Sequence, residues 1–523
     1  MTGTGTFLLT FLRRDRWMLL WWVLGGVSLY LATVYSVDQL YTTQAEYDAA
    51  AASTESNAAF IAMAGPARAL DTLGGQTAWQ TTAFGAILAG LMSMFLVGRH
   101  TRAEEENGRD ELLRAAAVGR HAPMTAAALV AGIATLVLGL LVSVGLTAYG
   151  LAAADSFGLG LGVTACGWVF TGTALIAVQL TASTRAAYGL AGGFIAVAYV
   201  LRAIGDVGNG VLSWLSPIGW YQAMHQFSGL RWWPMLLMLV AAGAAVVAAY
   251  ALFERRDYGS GVFAARPGPE RAPRGLLSGG GLAWRLQRGA VLGWAGGLFF
   301  AGLAYGAIGD DVQSLLGDSD VSQELFVQAG TDIVSGFYGT SILMLAVIGS
   351  GFAISSALRP RTEEENGHLE VLLATALART RWLLGHVLVT VGGTALVLVA
   401  SGLGLGAGYL MVTGDSDAAW DITWPVVQYV APVLVLSGLG RVLYGVAPRW
   451  TVLAWAPLAY AAVVMLFGDL FRLPQWLQDV SPFEHVAMVP AEDVTWGPVL
   501  VLAVVALALS VAGQLAFRRR DIH

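Results

Sequence analysis

Two short acidic segments contain the side chains of this sequence that are best placed to bind a partner. Residues 102–120 and 361–379 are identical at 11 of 19 positions, and each contains the run Glu-Glu-Glu-Asn-Gly. Carboxylates near the start of a helix can simply complement the helix dipole, an effect of about 0.3–1 kcal/mol. Helix stabilisation alone does not require the same five residues twice. We therefore expect each segment to be a docking surface for a protein partner, one in each half of the chain.

A short amphipathic helix is predicted to follow each acidic run. Asn-Gly is a helix-breaking pair, so a new helix should begin after it. Its apolar face is expected to consist of Leu112, Leu113, Ala116 and Ala117 in the first copy, and of Val371, Leu372 and Ala376 in the second. A helix of about three turns cannot cross a bilayer, but it can lie along the membrane surface and present side chains to a partner.

The rest of the chain is predicted to hold these segments at a membrane. Of its 523 residues, 56% are hydrophobic and only 12% are charged, whereas soluble domains have about 25% charged residues. Apolar runs of about 20 residues are long enough to cross the hydrocarbon core, and the sequence lacks the short alternating segments of a membrane β-barrel. We therefore predict an all-α polytopic membrane protein with twelve transmembrane helices, at residues 17–37, 80–98, 123–152, 158–182, 187–205, 234–253, 289–308, 337–357, 382–412, 424–446, 450–468 and 498–517.

The arginines orient these predicted spans. The sequence has 29 basic residues and no lysine, so all of them are arginines. With the N-terminus in the cytoplasm, the arginines at or beyond the outer side are only Arg68, Arg202, Arg231 and Arg472, which leaves 25 on the cytoplasmic side. Cytoplasmic loops are enriched in basic residues, so both termini and both acidic segments should be cytoplasmic.

The twelve predicted spans divide into two tandem six-span repeats. Besides the acidic segments, Phe-x-Arg-Arg-Asp occurs at 253–257 and again at 517–521, each time just after the last span of a half. We predict a first transmembrane repeat at 1–257, a cytoplasmic linker rich in Pro, Gly and Arg at 258–284, and a second repeat at 285–523. Because six is an even number, both repeats should have the same orientation, related by a pseudo-twofold axis along the membrane normal, as in some transporters.

The motif Arg-x-Glu-Glu-Glu-Asn-Gly-x-x-Glu-x-Leu resembles the first cytoplasmic loop of type-2 ABC export permeases. The closing Phe-x-Arg-Arg-Asp of each half, and a Ser-Pro before each sixth span, are similar to that family too. The double length resembles a fused subgroup of polyketide-antibiotic exporters related to tetronasin-resistance permeases. As organisation the resemblance covers essentially the whole chain, but the specific motif covers only about 20 residues in each half.

The resemblance implies a partner. In that family this loop is the coupling helix, which seats in a groove of a separate ATP-binding subunit, so two copies of a cytoplasmic ABC ATPase are expected. The residues implied to dock it are Glu104, Glu105, Glu106, Gly108 and Glu111 in the first half, and Glu363, Glu364, Glu365, Gly367 and Glu370 in the second. The second half has His368 and Leu369 where the first has Arg109 and Asp110, which leaves open whether the two docking sites are equivalent.

The chain itself is expected to bind no cofactor. A P-loop needs a lysine to reach the β- and γ-phosphates, and this sequence has none. Leu-Leu-Ser-Gly-Gly-Gly at 276–281 is similar to an ABC signature loop, but it lies in the linker without a nucleotide-binding domain around it. ATP and Mg²⁺ would therefore belong to the partner ATPase, and the chain would be a transport subunit without catalytic or metal-binding residues.

These patterns favour the permease subunit of an ATP-driven exporter in the bacterial plasma membrane, and no nucleic-acid partner is expected. The spans contain few ionisable groups, so the expected substrate is an amphiphilic drug or antibiotic. By family analogy its path would be lined by Met92, Met94, Phe194, Tyr199, Met344, Trp455, Tyr460 and Met465. Plain helix packing or lipid contact would explain each of these side chains equally well.

Two other functions were weighed against this one. A proton-coupled multidrug antiporter needs titratable groups at membrane depth, yet Asp206 and Asp469 lie at the outer ends of spans and His386 lies near a cytoplasmic end. A membrane-embedded enzyme could use outer-loop carboxylates such as Asp310 and Asp311 for acid–base chemistry, but no second functional group accompanies them. The outer acids fit a solvated loop surface better than a metal site, because no histidine lies nearby.

Overall fold

The computed structural model describes residues 2–55, 58–108, 118–257, 259–263, 270–307, 333–467 and 473–521. These residues form helices and turns, with no β-strand in the described ranges. Eleven helical segments among them are long and apolar enough to cross a membrane. The predicted all-α polytopic membrane fold is therefore confirmed.

The eleven segments correspond to the predicted spans one to ten and twelve, and we number them accordingly. Spans 1 to 6 are Arg16–Leu40, Leu73–Glu106, Ala122–Tyr149, Ala153–Leu180, Thr184–Val207 and Trp233–Arg255; spans 7 to 10 and 12 are Gly279–Gly306, Val334–Glu365, Arg379–Thr413, Ser416–Val446 and Trp496–Arg519. The region of the predicted eleventh span begins as a 3-10 helix, Pro448–Trp455, and continues as the α-helix Ala456–Phe467. Residues 468–472 lie outside the described ranges, so a total of twelve spans stays a prediction.

The chain forms two compact units, Met1–Gly268 and Pro269–His523. In the first unit, spans 2 and 4 are mostly buried, whereas spans 1, 5 and 6 are mostly exposed. Short helices fill the connections: Thr4–Arg14 precedes span 1, Gln44–Glu55 and Ala58–Ala64 lie between spans 1 and 2, and Leu212–Leu215 and Pro217–Gln222 lie between spans 5 and 6. The buried inner spans are therefore surrounded by helices whose apolar faces suit contact with lipid.

In the second unit, spans 7 and 9 approach each other backbone to backbone. A side chain at Gly302 or Gly306 of span 7 would collide with main-chain carbonyls of span 9, and one at Gly404 or Gly408 of span 9 would collide with carbonyls of span 7. Four glycines thus allow the two helices to pack closely, as small residues do in membrane proteins. Span 8 and span 10 complete the buried part of this unit.

Some predicted features lie outside the described residues. They are Arg109, Asp110, Glu111 and the predicted helix face at Leu112, Leu113, Ala116 and Ala117, the outer-loop acids Asp310 and Asp311, and Asp469 and Arg472. Of the first acidic segment, the structure describes residues 102–108 and 118–120, whereas the second acidic segment is described completely. We call the end of each unit that contains its acidic segment the motif end.

Candidate functional site

Each Glu-Glu-Glu run forms a short helix at the end of a membrane span. Arg102–Glu106 completes span 2 and Arg359–Glu365 completes span 8. The carboxylates are therefore attached directly to a mostly buried span of each unit, rather than to an independent loop.

The turn that ends these helices is the same in both copies. Asn107 has φ −82° and ψ 2°, and Asn366 has φ −85° and ψ 3°. Gly108 and Gly367 follow with φ of +67° and +71°, a left-handed conformation that glycine adopts without the strain other residues incur. The sequence identity of the two motifs thus produces the same local backbone.

The middle glutamate of the first motif is buried between two arginines. Arg256, from the Phe-x-Arg-Arg-Asp motif after span 6, contacts both carboxylate oxygens of Glu105, with a distance of 3.1 Å from Nη1 to Oε2. Arg102 Nη1 lies 2.7 Å from the same Oε2. The side chains of Glu105, Arg256 and Arg102 are only 8%, 4% and 1% exposed. A docking partner therefore has almost no access to Glu105 in this conformation.

The middle glutamate of the second motif has the equivalent partner. Arg520 Nη2 lies 2.7 Å from Oε1 and 2.5 Å from Oε2 of Glu364, and the Tyr444 hydroxyl donates to Oε2 at 2.8 Å. Arg520 also lies over the Tyr444 ring, 5.1 Å from its centroid, a cation–π arrangement. Arg256 and Arg520 occupy the same position of the repeated Phe-x-Arg-Arg-Asp motif, so the repeat pairs two motifs that the sequence analysis treated separately.

The first glutamate of each run also has an intramolecular partner. Glu104 binds Arg14 Nη1 at 2.7 Å. Glu363 binds Arg359 Nη2 at 2.7 Å and contacts His368 Nδ1 at 3.1 Å. His368, which stands where the first motif has Arg109, thus contributes to holding the second acidic segment.

The last glutamate of each run is more exposed. Glu106 accepts hydrogen bonds from the backbone N–H of Thr184, at 3.0 Å, and from its hydroxyl, and so caps the start of span 5. Glu365 pairs with Arg361 at 2.6 Å but is 56% exposed, and Glu370 is exposed. Among the described carboxylates of the second motif, Glu365 and Glu370 are therefore the two that a partner could reach.

The short helix His368–Leu373 is anchored by different side chains from those predicted. Leu369 is fully buried and packs with Trp382, Tyr444 and Phe517, while Leu372 and Leu373 lie against the same group. Val371 and Ala376, predicted to share an apolar face with Leu372, are both exposed, Val371 to 71%. The predicted face differs from the observed one because Leu369, Leu372 and Leu373, at the i, i+3, i+4 spacing of one helix side, pack on the apolar cluster. The helix also ends at Leu373, before Ala376.

Comparisons with known proteins agree with this architecture. A family described as "Multidrug efflux system permease Rv1217c, C-terminal domain" matches residues 7–254 and 276–518. One relative, the "Multidrug efflux system permease protein Rv1217c" of Mycobacterium tuberculosis, is 38% identical over 527 residues, which cover 100% of this chain and 96% of the relative. The chain belongs to this family of multidrug efflux permeases. It is a transport subunit rather than an enzyme, and a permease of an efflux system implies partner components.

A buried polar group beside the acidic segment distinguishes the two units of the permease. Asp15 is fully buried in the first unit and lies 3.0 Å from both Arg99 Nε and His100 Nε2. The repeat places Gln287 at the equivalent position, where it accepts a hydrogen bond from Ser356 Oγ at 2.6 Å and contacts His386 Nδ1 at 3.2 Å. Asp15 was not among the predicted site residues, although a lone acid among the arginines before span 1 was a usable signal.

The side chains predicted to line a substrate path occupy varied environments. Met92 and Met94 are buried in the core of the first unit, and the Tyr199 hydroxyl donates to the Met63 carbonyl at 2.8 Å. In the second unit the Tyr460 hydroxyl donates to the Leu477 carbonyl at 2.5 Å, and Met344 Sδ accepts from Tyr305 at 3.4 Å. Met465 packs against the core of that unit, while the only exposed members of the predicted set are Phe194 and Trp455. Their role in transport stays a prediction.

The opposite end of the first unit encloses a small polar cavity. A space of about 30 Å³ is lined by side chains that include Arg68, Trp79, Gln222 and His225. Burial lowers the pKa of His225 to about 4, and the positive charges of Arg68 and Arg231 act in the same direction. Such a cavity is large enough for water but not for a drug.

Proposed function

We propose that this permease exports amphiphilic drugs or antibiotics from the cytoplasm across the bacterial plasma membrane, driven by ATP hydrolysis on a separate ABC ATPase. Two ATPase copies, which carry the ATP and Mg²⁺, would bind the permease at its two acidic segments. The termini and the motif ends would face the cytoplasm, in line with the distribution of arginines. Closure of the ATPase pair would then move both halves and switch the path from inward to outward access.

The observation that carries this proposal is the identical construction of the two motif turns. The same helix end, Asn-Gly turn and positive φ occur at Gly108 and Gly367, and each motif continues a mostly buried span. Two docking sites with the same backbone, each attached to a buried span of its own half, suit an ATPase that binds as a pair of subunits.

The docking contact would involve the exposed part of each motif. In the second motif Glu365, Glu370 and Val371 are exposed, which combines two carboxylates with one apolar side chain. This surface suits a groove that has an apolar floor and basic residues at its rim, because buried apolar contact supplies affinity and charge complementarity supplies specificity. In the first motif Glu106 and Gly108 are exposed and would occupy the equivalent position.

The substrate class rests on family membership and on the composition of the spans. The spans are overwhelmingly apolar, so they can bind the apolar body of a drug at low cost but offer little to a strongly charged solute. Phe194 and Trp455 are the path residues that we expect to contact substrate first, because they are the exposed ones.

Docking can be tested with charge reversals that leave the buried pairs intact. Replacing a whole Glu-Glu-Glu run by alanine would also remove Glu105 or Glu364 and confuse docking with folding. We therefore expect Glu365→Arg combined with Glu370→Arg to reduce co-purification of the ATPase at least tenfold, with little change in melting temperature. Asp421→Arg, an exposed reversal outside both motifs, is the matched control and should bind as wild type. Unchanged ATPase binding by the double variant would contradict docking at this surface.

A cross-link can locate the contact directly. The sole cysteine, Cys166, is fully buried, so Val371→Cys introduces a single accessible thiol on the proposed surface. A short thiol-to-amine cross-linker should join this variant to the co-purifying ATPase. A Trp420→Cys control should react with a thiol label. If the ATPase is captured but no cross-link forms at position 371, the ATPase does not dock at this surface.

A further inference from the structure

We propose that the Glu105–Arg256 and Glu364–Arg520 pairs are mechanical links within the permease rather than contacts to its partner. Each link would transmit displacement of an acidic segment to two further membrane spans. The inference rests on the proposed function, since it concerns how force from a docked ATPase would spread through each half. It assigns the four residues a positioning role that sequence reasoning had not given them.

In the first unit the link joins three spans. Glu105 ends span 2, and Arg256 follows span 6. Arg256 Nε donates to Gln179 Oε1 at 2.6 Å, and Arg102 Nη2 donates to the Val178 carbonyl at 2.6 Å, both near the end of span 4. The ends of spans 2, 4 and 6 are therefore held by a single buried network.

In the second unit the corresponding three spans meet in the same way. Glu364 ends span 8, Arg520 follows span 12, and Tyr444 lies near the end of span 10. Span 10 provides a phenol where span 4 provides an amide and a carbonyl. The junction of the second, fourth and sixth spans is thus present in both units although its third member differs chemically.

Burial makes these links suitable for transmitting motion. A carboxylate and a guanidinium that are removed from water stay together, because separating them leaves a charge unpaired in a poorly solvated position. In the first pair the two Nη atoms of Arg256 each bind one oxygen of Glu105, a bidentate geometry that also restricts rotation of one group against the other. In the second pair Nη2 of Arg520 contacts both oxygens of Glu364. A displacement of the acidic helix would therefore carry the ends of both partner spans with it.

The first link also holds the beginning of the linker between the two halves. The Ser260 carbonyl accepts hydrogen bonds from Arg256 Nη1 at 2.9 Å and from Arg102 Nη2 at 3.1 Å. The next residues continue this attachment, since Val262 N–H donates to the Gln179 carbonyl at 3.0 Å and Phe263 N–H donates to the Leu180 carbonyl at 3.1 Å. Movement of the first acidic segment would therefore also move the start of the linker.

The experiment uses charge exchange in the second unit, where the network is simpler. Full-length permease carrying Arg520→Glu, Glu364→Arg or both changes would be purified with its co-purifying ATPase and reconstituted in proteoliposomes. We expect Arg520→Glu to retain ATPase capture within about twofold but to lose at least tenfold in ATP-dependent drug transport. The double exchange should restore transport to within about threefold of wild type, because the pair is re-formed with its charges reversed. Arg518→Glu makes the same charge reversal at an exposed position two residues away, and this control variant should transport drug normally.

A milder variant covers the case in which Arg520→Glu does not fold. Tyr444→Phe removes only the hydroxyl that donates to Glu364, and should lower the amount of drug moved per ATP hydrolysed about two- to fivefold while ATPase capture is unchanged. A loss of capture in Arg520→Glu or Tyr444→Phe that matches the loss in the double variant Glu365→Arg, Glu370→Arg would mean that Glu364 is a partner contact. Normal transport by both Arg520→Glu and Tyr444→Phe would mean that the pair transmits nothing. Failure of wild-type permease to capture any ATPase would instead overturn the proposed function.

Discussion

The two motif ends share one turn and one ion pair but differ in the described groups around that pair. In the first unit Glu105 lies between two arginines, and the nearby buried Asp15 contacts Arg99 and His100. In the second unit Glu364 has Arg520 and a phenol, and the neutral Gln287 occupies the position of Asp15. Among the described residues, the first motif end thus adds a second charged group around Asp15, and the second adds a phenol, a neutral amide and the apolar cluster around Leu369.

This difference shows which part of the duplicated motif is constrained by geometry. The turn and the central pair recur because they define the shape of the junction, whereas the surrounding groups only need to satisfy buried charges. Fully paired polar networks and packed apolar groups are alternative solutions to that requirement. The two units should consequently fail in different ways when the same kind of change is made in each.

The largest expected effect is the transfer of a first-half residue into the second unit. Leu369 is fully buried against Trp382 and Phe517, while the first half has Asp110 at the equivalent position. Leu369→Asp would bury an unpaired carboxylate, so we expect a loss of about 4 kcal/mol or more in the free energy of unfolding. Denaturation in mixed micelles measures it, with Val371→Asp on the exposed side of the same helix as the control. A small loss for Leu369→Asp would mean that the second motif end does not depend on apolar packing.

Removal of the paired arginines should affect the second unit more than the first. Within the described residues, Arg520 is the only cation that contacts Glu364, whereas Glu105 keeps Arg102 when Arg256 is removed. We expect Arg520→Ala to cost about 3 kcal/mol and Arg256→Ala roughly half of that, since breaking one side of a buried pair is strongly destabilising. The same denaturation assay compares them. Equal losses of unfolding free energy would show that Arg102 does not stabilise Glu105 when Arg256 is absent.

The sequence predicted the fold well because hydropathy reports directly on burial in lipid. The predicted spans one to ten and twelve overlap membrane-length helices in the structure. It did not predict the 3-10 helix at Pro448–Trp455, because apolar composition carries no information on how tightly a helix is wound. Whether span eleven completes a set of twelve stays open to experiment.

The two acidic segments were recognised in the sequence, but the pairing of their charges was not predicted. Glu105 and Arg256 are 151 residues apart in the chain, and Glu364 and Arg520 are 156 apart. Both motifs were recognised as repeats, but charged residues beside a membrane were interpreted as surface, and local patterns cannot show which distant charges become buried together. The buried side of the short helix was missed for a similar reason, because Leu369 packs with Trp382 and Phe517, and local patterns do not show contacts with distant residues.

Substitution of the two turn glycines should affect both units equally. Gly108 and Gly367 have positive φ, and a Cβ at either position would meet no other atom. Alanine should therefore lower the free energy of unfolding only by the strain of a left-handed backbone, about 1 kcal/mol in each unit. Asparagine tolerates this conformation and should cost less. Melting temperatures of the four variants provide the test. Gly108→Ala and Gly367→Ala losses that differ by more than about 1 kcal/mol would contradict an identical turn.

The smallest expected effect is a pH dependence confined to the first unit. His225 has a pKa of about 4 in the folded protein, below its usual value near 6.5. Its contribution to stability is complete above pH 6.5 and is lost as the pH falls toward 4, because the unfolded form then takes up a proton that the folded form does not. The second unit has Pro490 at the equivalent position, so His225→Gln should reduce the drop in melting temperature between pH 7 and pH 5 by about 1–2 °C. An unchanged drop would show that His225 is not held in its neutral form.

The most direct test of the central claim is the energy source of transport in proteoliposomes. Permease reconstituted with its co-purifying ATPase should move an amphiphilic dye when ATP and Mg²⁺ are supplied, with no imposed proton gradient. Permease reconstituted alone should move none under either condition. Dye transport by the permease alone that follows an imposed proton gradient would contradict the account and establish a proton-coupled antiporter instead.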